Sequence, residues 1–310
     1  MNQSQKVFIT GAAGFLGRYV SRHFFRQGYT VVGTDNSSPE NAPTGTLSSY
    51  HQIRLPHKDF EDVIQHIQPD ILVHCAGRAA VALSVDDPHS DFYSNAVVTF
   101  EVLDAVRKFA PHCRVIFLSS AAVYGNPTHL PISEKDQSFP VSPYGFHKLQ
   151  SEQICAEFSG IYGLKTAGVR IFSAYGPGLR RQVIWDICQK AILQNSLILQ
   201  GTGEESRDFI HALDIANAID CIASQAEMKG ESYNLASGEE VTIRSLSELV
   251  LNALESDRRP EFDGVVPPGI PLNWRADISS LRSLGFESTV AFDRGIKTFA
   301  YWCRAELLGV

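Results

Sequence analysis

The sequence lacks an apolar run long enough to span a membrane, which takes about 20 residues. Its first residues, Met-Asn-Gln-Ser-Gln-Lys, have no apolar core of the kind found in a signal peptide. No internal repeat or low-complexity tract is visible in the 310 residues. We therefore expect a cytoplasmic protein with no membrane partner.

Positive charge is scarce as well. The 27 Lys and Arg residues form no long run and are outnumbered by 34 Asp and Glu residues, which gives a formal net charge of −7. Because duplex binding draws on clustered basic side chains, we expect no nucleic-acid partner. An anionic substrate would have to be bound by a few local cations.

Paired cysteine motifs are also missing. Six cysteines are scattered along the chain without a C-x-x-C pair, namely Cys75, Cys113, Cys155, Cys188, Cys221 and Cys303. This spacing predicts neither a disulfide framework nor a metal site, and it fits a reducing compartment. We interpret these residues as small apolar core residues.

Short apolar runs alternate with helical periodicity in the first half of the chain. Strands are predicted at 6–10, 30–34, 70–75, 114–119 and 164–172. Helices are predicted between them at 15–27, near 59–67, near 91–109 and at 144–160. This alternation predicts an α/β fold, a parallel sheet wound with helices on both faces.

The alternation breaks near Ser173. Beyond it we predict helices around 182–194 and near 291–304, and short strands that return to the sheet at 208–210 and 232–235. We expect two interleaved lobes, a sheet domain and a smaller mixed α/β lobe, with bounds of 1–172 plus 208–236 and 173–207 plus 237–310. The substrate cleft is expected between them, at the carboxyl ends of the strands.

A glycine-rich turn connects the first strand to the first helix. Gly11, Gly14 and Gly17 follow Lys-Val-Phe-Ile-Thr in a GxxGxxG spacing. Such glycines permit a tight turn and close approach of the backbone to a diphosphate, whose charge is met by the N–H groups at the helix N-terminus. The same pattern also occurs in turns that bind nothing, so it needs support from its context.

That context includes a carboxylate at the end of the second strand. Asp35 lies about twenty residues beyond the glycines, where it is placed to hydrogen-bond the ribose of an adenosine. A carboxylate there repels a 2′-phosphate, which favours NAD over NADP. The alternative is that Asp35 only begins a turn with Asn36.

A candidate acid/base pair lies in the middle of the chain. Tyr144 and Lys148 are four residues apart, one helical turn, so their side chains project from the same face. A cation beside a phenol favours its ionised form, which could take a proton from a hydroxyl near neutral pH. Taken alone, a Tyr and a Lys at this spacing more often lie on a solvent-exposed helix face without a catalytic role. Likewise, a serine such as Ser120 is often only the polar end of a strand.

Five segments together resemble the extended short-chain dehydrogenase/reductases that modify nucleotide sugars. They are residues 11–17, 74–77, 118–125, 144–148 and 207–211, and they occur in the order found in that family. The resemblance covers nearly the whole chain. It implies a Rossmann fold, a tightly held nicotinamide cofactor and a Ser/Thr–Tyr–Lys catalytic set.

The resemblance assigns roles to individual residues. Tyr144 would be the acid/base, Ser120 would hydrogen-bond the reacting oxygen, and Lys148 would bind the nicotinamide ribose and lower the pKa of the tyrosine. The predicted NAD-binding residues are Gly11, Gly14, Phe15, Leu16, Gly17, Asp35, Asn36, Ala76, Gly77, Tyr144 and Lys148. His74 and His147 are expected to have structural roles.

A nucleoside-diphosphate sugar is the substrate that the resemblance implies. Arg207 matches the family's diphosphate-contacting arginine, and a planar guanidinium suits that group; an ion pair with Asp208, Glu204 or Glu205 is the alternative. The predicted substrate-binding residues are Ser120, Ala121, Tyr144, Arg180 and Arg207, and Arg181 is a further candidate.

Departures from the family pattern reduce the number of reactions that the site could catalyse. Ala121 and Ala122 stand where relatives that dehydrate a sugar carry acidic residues, and an alanine cannot move a proton. A C4 epimerase that oxidises the sugar with bound NAD is then expected, and a 4-ketoreductase that uses NADH or NADPH is the alternative. Asp35 slightly favours the epimerase.

Three further departures leave the reductase open. Ser173 stands where the family often has Asn, Arg54 where an Asp commonly faces adenine, and Pro267 where a second phosphate-binding Arg is usual. A non-catalytic NAD(H)-binding sensor is a third hypothesis, because one fold hosts many functions. An intact Ser120, Tyr144 and Lys148 set counts against it.

The resemblance also suggests a homodimer. In relatives, the helices that correspond to 91–109 and to the segment after Tyr144 pair into a four-helix interface. Here they carry apolar residues such as Phe92, Phe100 and Ile154. The alternative is that the core buries all of these positions.

Overall fold

The computed structural model describes residues 4–194, 196–265 and 272–309. Pro267 lies outside these ranges. Within them, no helix combines the length and the apolar character needed to cross a bilayer.

The described chain forms thirteen strands and eleven helices. The strands are β1 Lys6–Thr10, β2 Thr30–Asp35, β3 Ser49–Gln52, β4 Ile71–His74, β5 Arg114–Ser120, β6 Lys165–Ile171, β7 Ser173–Tyr175, β8 Ile198–Leu199, β9 Ser206–Arg207, β10 Phe209–His211, β11 Lys229–Leu235, β12 Val241–Thr242 and β13 Glu261–Phe262. The helices are α1 Phe15–Arg26, α2 Lys58–Ile67, α3 Val81–Asp86, α4 Pro88–Phe92, α5 Val98–Phe109, α6 Pro143–Tyr162, α7 Gln182–Leu193, α8 Ala212–Gln225, α9 Ile243–Ala253, α10 Ser279–Ser283 and α11 Phe292–Leu308.

Seven of the strands build one sheet in the order β3-β2-β1-β4-β5-β6-β11. Every neighbouring pair is parallel. The chain moves outward in one direction from β1 to β3 and in the other direction from β4, so the order reverses between β1 and β4. In such sheets ligands bind outside the carboxyl ends of the strands at the reversal. The predicted Rossmann fold is confirmed.

Continuous apolar runs explain why these strands are central. Val7, Phe8 and Ile9 are completely buried, although successive side chains point to opposite faces of the sheet. One face is covered by α1 and α8 and the other by α2, α5 and α6. Both faces are therefore hydrophobic core, as parallel sheets require.

One predicted strand does not join the sheet. β11 pairs with β6 at the sheet edge as expected, but β10 pairs with β7 in a separate two-stranded unit. Once β11 occupies the free edge of β6, that edge has no hydrogen-bonding groups left for another strand. Of the two short strands predicted to return to the sheet region, only the one at 232–235 therefore joins the main sheet.

The helix predicted near 91–109 is interrupted. The helices α4 and α5 are separated by a wide helical turn, Tyr93–Val97, that places Asn95 in the interior. Such wide turns are uncommon inside helices and are frequent at functional sites. The short helix α3, just before α4, was not predicted.

The helices α7, α9 and α11 pack around a second apolar core. Tyr175, Phe209 and Phe299 are among its largest buried side chains. Short strand pairs, β8 with β13 and β9 with β12, complete this part of the molecule. The division into two lobes at the predicted bounds stays a prediction.

We expect Gly17→Ala to destabilise the protein by about 2 kcal/mol and to reduce its content of the expected NAD cofactor. A Cβ atom at this position would lie 2.1 Å from the carbonyl oxygen of Gly11, so α1 would have to move away from the glycine turn. Urea unfolding, together with assay of the cofactor released from the purified protein, measures both effects.

The matched control is Gly160→Ala in α6, where an added Cβ meets no atom within 4 Å. This variant should be more stable by about 0.5–1 kcal/mol, because alanine favours the helix. Equal stability of the two variants would contradict close packing at Gly17.

Candidate active site

Two adjoining cavities open at the carboxyl ends of the strands. The larger has a volume of about 830 Å³ and the smaller about 340 Å³. Gly11, Gly14, Cys75, Gly77 and Arg78 line both, so the two form one continuous cleft. The cleft lies beside the reversal in strand order, where a dinucleotide is expected.

The glycine turn forms the floor of this cleft. Gly11 has a φ of +68°, which glycine adopts without strain, and a Cβ there would lie 2.7 Å from the backbone nitrogen of Ala76. Phe15, Leu16 and Gly17, the first residues of α1, line the larger cavity. The N–H groups of a helix's first turn have no partner within the helix, so this end fits a diphosphate.

Asp35 and Asn36 line the smaller cavity together with Arg54. The two oxygens of the Asp35 carboxylate accept hydrogen bonds from the backbone N–H of Ala13 at 3.1 Å and of Ser37 at 3.0 Å. These bonds fix the carboxylate, and each oxygen keeps a lone pair that a ribose hydroxyl could use. The turn role and the ribose role are therefore compatible.

The loop after β4 forms the wall over the middle of the cleft. Ala76 and Gly77 line it, and a Cβ on Gly77 would come within 2.8 Å of Oδ1 of Asn95. His74 lies behind the loop and contacts the hydroxyl of Thr10 at 2.7 Å. Burial lowers the pKa of His74 to about 3, so the ring is neutral.

Ser120, Tyr144 and Lys148 all line the larger cavity. Ser120 ends β5, while Tyr144 and Lys148 lie in the first two turns of α6. Ser142 caps this helix by accepting a hydrogen bond from the N–H of Gly145 at 3.2 Å. The structure thus brings together the three residues that were predicted to be catalytic.

Lys148 connects the helix to the sheet. Its Nζ donates a hydrogen bond to the carbonyl oxygen of Leu118 at 2.9 Å and lies 5.8 Å from the centre of the Tyr144 ring. Burial lowers the pKa of Lys148 to about 8, and the charge of Asp91 opposes this shift.

The pKa of Tyr144 differs from the expectation. Burial raises it, and a hydrogen bond with Ser120 and the charge of Arg181 only partly oppose the rise. We expected Lys148 to lower this pKa, but in the protein itself the loss of solvation around a phenolate has the larger effect. In the protein alone, burial therefore disfavours ionisation of the phenol.

A buried ion pair supports the catalytic segment. Glu152 of α6 and Arg170 of β6 are 2.8 Å apart, and Glu152 also accepts a hydrogen bond from Ser119 at 2.5 Å. Arg170 donates to the hydroxyl of Tyr124 at 2.8 Å. This cluster was not predicted from the sequence, although an arginine inside an otherwise apolar strand is a signal for it.

Arg207 lies at the far end of the larger cavity. It donates to the carbonyl oxygens of Ser206 and Leu272, and its guanidinium lies 5.6 Å from the centre of the Trp274 ring. Within the described ranges, no carboxylate forms an ion pair with it. The alternative of an ion pair with Asp208, Glu204 or Glu205 is therefore not observed.

Two predicted substrate contacts lie outside the cavity wall. Arg180 pairs with Glu306 at 2.6 Å on the outer surface, and the adjacent Arg181 lines the cavity instead. Ala121 is fully buried, and Ala122 lines the cavity. In each case neighbouring residues face opposite ways because the backbone around them is extended or tightly turned.

Some cavity residues carried no sequence signal. Trp274, Gln182 and Val183 line the larger cavity. Trp274 follows the proline-rich stretch far from every motif, so only the folded chain brings it beside Arg207. Gln182 and Val183 are the first residues of α7, whose N-terminus therefore faces the cleft.

The fold and the site define an NAD-dependent enzyme of the extended short-chain dehydrogenase/reductase type. The chain belongs to the NAD dependent epimerase/dehydratase family, whose model matches residues 7–236. The predicted enzyme class and the predicted NAD cofactor are confirmed. A sensor without catalysis is accordingly set aside.

Individual relatives are similar over nearly their whole length. A putative UDP-glucose 4-epimerase of Methanocaldococcus jannaschii is 27% identical over 96% of this chain and 98% of its own. The structure of a UDP-N-acetylglucosamine 4-epimerase from Methanobrevibacter ruminantium, in complex with UDP-N-acetylmuramic acid, has a TM-score of 0.88 and 28% identity, covering 98% and 99% of the two chains. A Thermus thermophilus UDP-glucose 4-epimerase in complex with NAD has a TM-score of 0.87 and 26% identity, covering 97% and 99%.

We expect Glu152→Gln to lower the free energy of unfolding by about 3–5 kcal/mol, because it leaves the charge of Arg170 buried without its partner. The measurement is the urea dependence of folding. Glu204→Gln is the control, since it breaks an exposed ion pair with Arg244 and should change stability by less than about 1 kcal/mol. Similar losses of stability in the two variants would contradict the stabilising role of the buried pair of Glu152 and Arg170.

Proposed function

We propose that this protein is a nucleoside-diphosphate-sugar 4-epimerase. The observation that supports the proposal best is the convergence of Ser120, Tyr144 and Lys148 in one cavity that is continuous with the cofactor cleft. The curated relatives and solved structures described above include several sugar 4-epimerases.

The proposed roles follow from the geometry. Tyr144 takes the proton of the C4 hydroxyl and later returns it, while Ser120 hydrogen-bonds the same oxygen. Lys148, fixed on Leu118, holds the nicotinamide ribose and keeps positive charge close to the phenol. An NAD bound over the glycine turn of Gly11, Gly14 and Gly17 would supply an oxidised nicotinamide as the hydride acceptor and donor.

In an epimerase, the keto form of the sugar must present both faces of its C4 carbonyl to the nicotinamide. We propose that Arg207, stacked on Trp274, holds the diphosphate at one end while the sugar rotates near Tyr144. In the proposed arrangement the lobe of residues 173–207 plus 237–310 carries the nucleotide sugar.

The cavity wall also disfavours a dehydratase. Its lining residues in the described part of the chain include no Asp or Glu, and Ala122 faces the cavity after Ser120. Elimination of water needs an acid and a base in addition to the tyrosine. Epimerisation needs only one proton relay and the hydride transfer.

A 4-ketoreductase is the second candidate, and one observation favours it. Burial raises the pKa of Tyr144, which favours a phenol that gives a proton to a reduced sugar oxygen. An epimerase starts from the ionised phenol and depends on the positive charges around it. The two reactions differ in their use of external cofactor.

The test is to incubate the purified protein with UDP-glucose and with other nucleotide sugars, with and without added NADH. An epimerase isomerises a sugar without consuming NADH and releases about one equivalent of NAD when it is denatured with acid. Steady oxidation of added NADH by a 4-keto sugar, without isomerisation, would instead establish the reductase.

Tyr144→Phe should lower turnover by about 10²- to 10⁴-fold, because it removes the group that moves the proton. The cofactor should remain bound, since only a hydroxyl is lost. Tyr301→Phe is the control, because Tyr301 lies half exposed on α11 away from the cleft. Normal turnover by the Tyr144 variant would contradict the assignment of Tyr144 as the acid/base.

We also propose that the protein is a homodimer, assembled through the outer faces of α5 and α6. Phe100, Phe146, Ile161 and Tyr162 on these helices are 42–73% exposed, which is unusual for a group of large apolar residues. Light scattering at micromolar concentration should give twice the mass of the chain. A monomer would contradict the proposal.

The cytoplasmic location stays a prediction.

A further inference from the structure

The first turn of α6 takes its hydrogen-bond acceptors from two different parts of the chain. The first N–H groups of a helix have no acceptor within the helix. Pro143 opens α6 without an N–H group, so the donors of Tyr144 and Gly145 need outside partners. The hydroxyl of Ser142 accepts from Gly145 at 3.2 Å as a local cap. The N–H of Tyr144 donates to Ser84, which lies sixty residues earlier in the sequence.

Ser84 is a completely buried residue of the short helix α3. Its hydroxyl oxygen accepts the hydrogen bond from the N–H of Tyr144 at 3.1 Å. The same hydroxyl donates a hydrogen bond to the carbonyl oxygen of Val81 at 2.6 Å, which fixes the direction of the oxygen's lone pairs. One side chain therefore links the backbone of the proposed acid/base to α3.

The beginning of α3 is part of the wall of the larger cavity. Residues 79–82 line this cavity, and the last two of them belong to α3. Val81 thus borders the cavity and also accepts the hydrogen bond from Ser84. Two consecutive hydrogen bonds, from Tyr144 to Ser84 and from Ser84 to Val81, therefore join the cavity wall to the helix that carries the phenol.

Ser142 provides the comparison that separates this link from ordinary helix capping. Ser84 and Ser142 satisfy neighbouring donors of the same helical turn at nearly equal distances, 3.1 and 3.2 Å. The loss of either hydroxyl should therefore cost the helix a similar amount of stability. Ser142 immediately precedes α6, whereas Ser84 belongs to the helix that forms the cavity wall. Only the loss of Ser84 should allow this wall and α6 to shift relative to each other.

We propose that Ser84 is a positioning residue, which fixes the start of α6 against the wall formed by α3. A sugar that lies on this wall then meets the hydroxyl of Tyr144 at the distance that proton transfer needs. This inference rests on the proposed 4-epimerase function and adds to it a residue that acts through Tyr144. A misplacement of about 1 Å can lower a rate by about 10²-fold, so a single hydrogen bond behind the site can affect turnover.

The test compares Ser84→Ala with Ser142→Ala in the purified protein that retains its NAD. The substrate is the nucleotide sugar that the wild-type protein isomerises fastest. Ser84→Ala should lower kcat by about 10- to 100-fold, because the phenol and the sugar lose their fixed separation. It should change KM by less than about threefold, because Arg207 and its proposed diphosphate contact are unaffected. Ser142→Ala should keep both constants within about threefold of wild type.

Urea unfolding of the two variants distinguishes positioning from a general loss of stability. Each variant lacks one hydrogen bond to the first turn of α6, so their unfolding midpoints should fall by similar amounts. Equal losses of kcat in Ser84→Ala and Ser142→Ala, or a normal kcat in Ser84→Ala, would overturn the inference. A much larger fall of the midpoint in Ser84→Ala would overturn it too, since the residue would then act in folding.

Amide hydrogen exchange of the same three proteins, measured by mass spectrometry, separates this inference from the proposed reaction. In Ser84→Ala, both the wall segment 79–86 and the helix start 143–148 should exchange about 5- to 10-fold faster, the effect of one lost hydrogen bond. In Ser142→Ala, only 143–148 should exchange faster. If no nucleotide sugar is isomerised, the 4-epimerase proposal fails, but the link through Ser84 is still tested. Unchanged exchange at 79–86 in Ser84→Ala would overturn it.

Discussion

The hydrogen bond from Lys148 to the carbonyl oxygen of Leu118 is the interaction on which the site depends. It joins the helix that carries Tyr144 to the strand that carries Ser120, so the phenol and the hydroxyl keep a fixed separation. Because the ammonium is buried, the bond is strong, and a substitute that cannot donate loses this connection. The proposed chemistry then needs only a cofactor and a sugar placed against this rigid unit.

Burial has opposite effects on the two members of the catalytic pair. It makes the lysine easier to deprotonate and the tyrosine harder to ionise. The charges of Arg181 and of an oxidised nicotinamide act in the direction that restores an ionised phenol. The buried ion pair of Glu152 and Arg170 places two further charges in the interior, and each charge has the other as its partner. The reactivity of the site is thus set by its charged neighbours more than by the tyrosine alone.

Short-range spacing in the sequence predicts much of this arrangement. The glycine turn and the four-residue step from Tyr144 to Lys148 are local, so helix and strand geometry alone determine which side chains lie together. Contacts between distant segments are not local. Whether Arg180 or Arg181 faces the cleft depends on the orientation in which α7 packs, and the place of Trp274 depends on a long connection. The partner of β10 depended on which strand occupied the edge of β6.

Cys75 belongs to the wall that both cavities share and packs against the core on one face of the sheet. Burial raises the pKa of this thiol far above its ordinary value, so it stays protonated at physiological pH. A protonated thiol is a poor nucleophile and reacts slowly with peroxides and alkylating reagents. This position of the cleft wall therefore does not bring the oxidative vulnerability of a thiolate to a redox site.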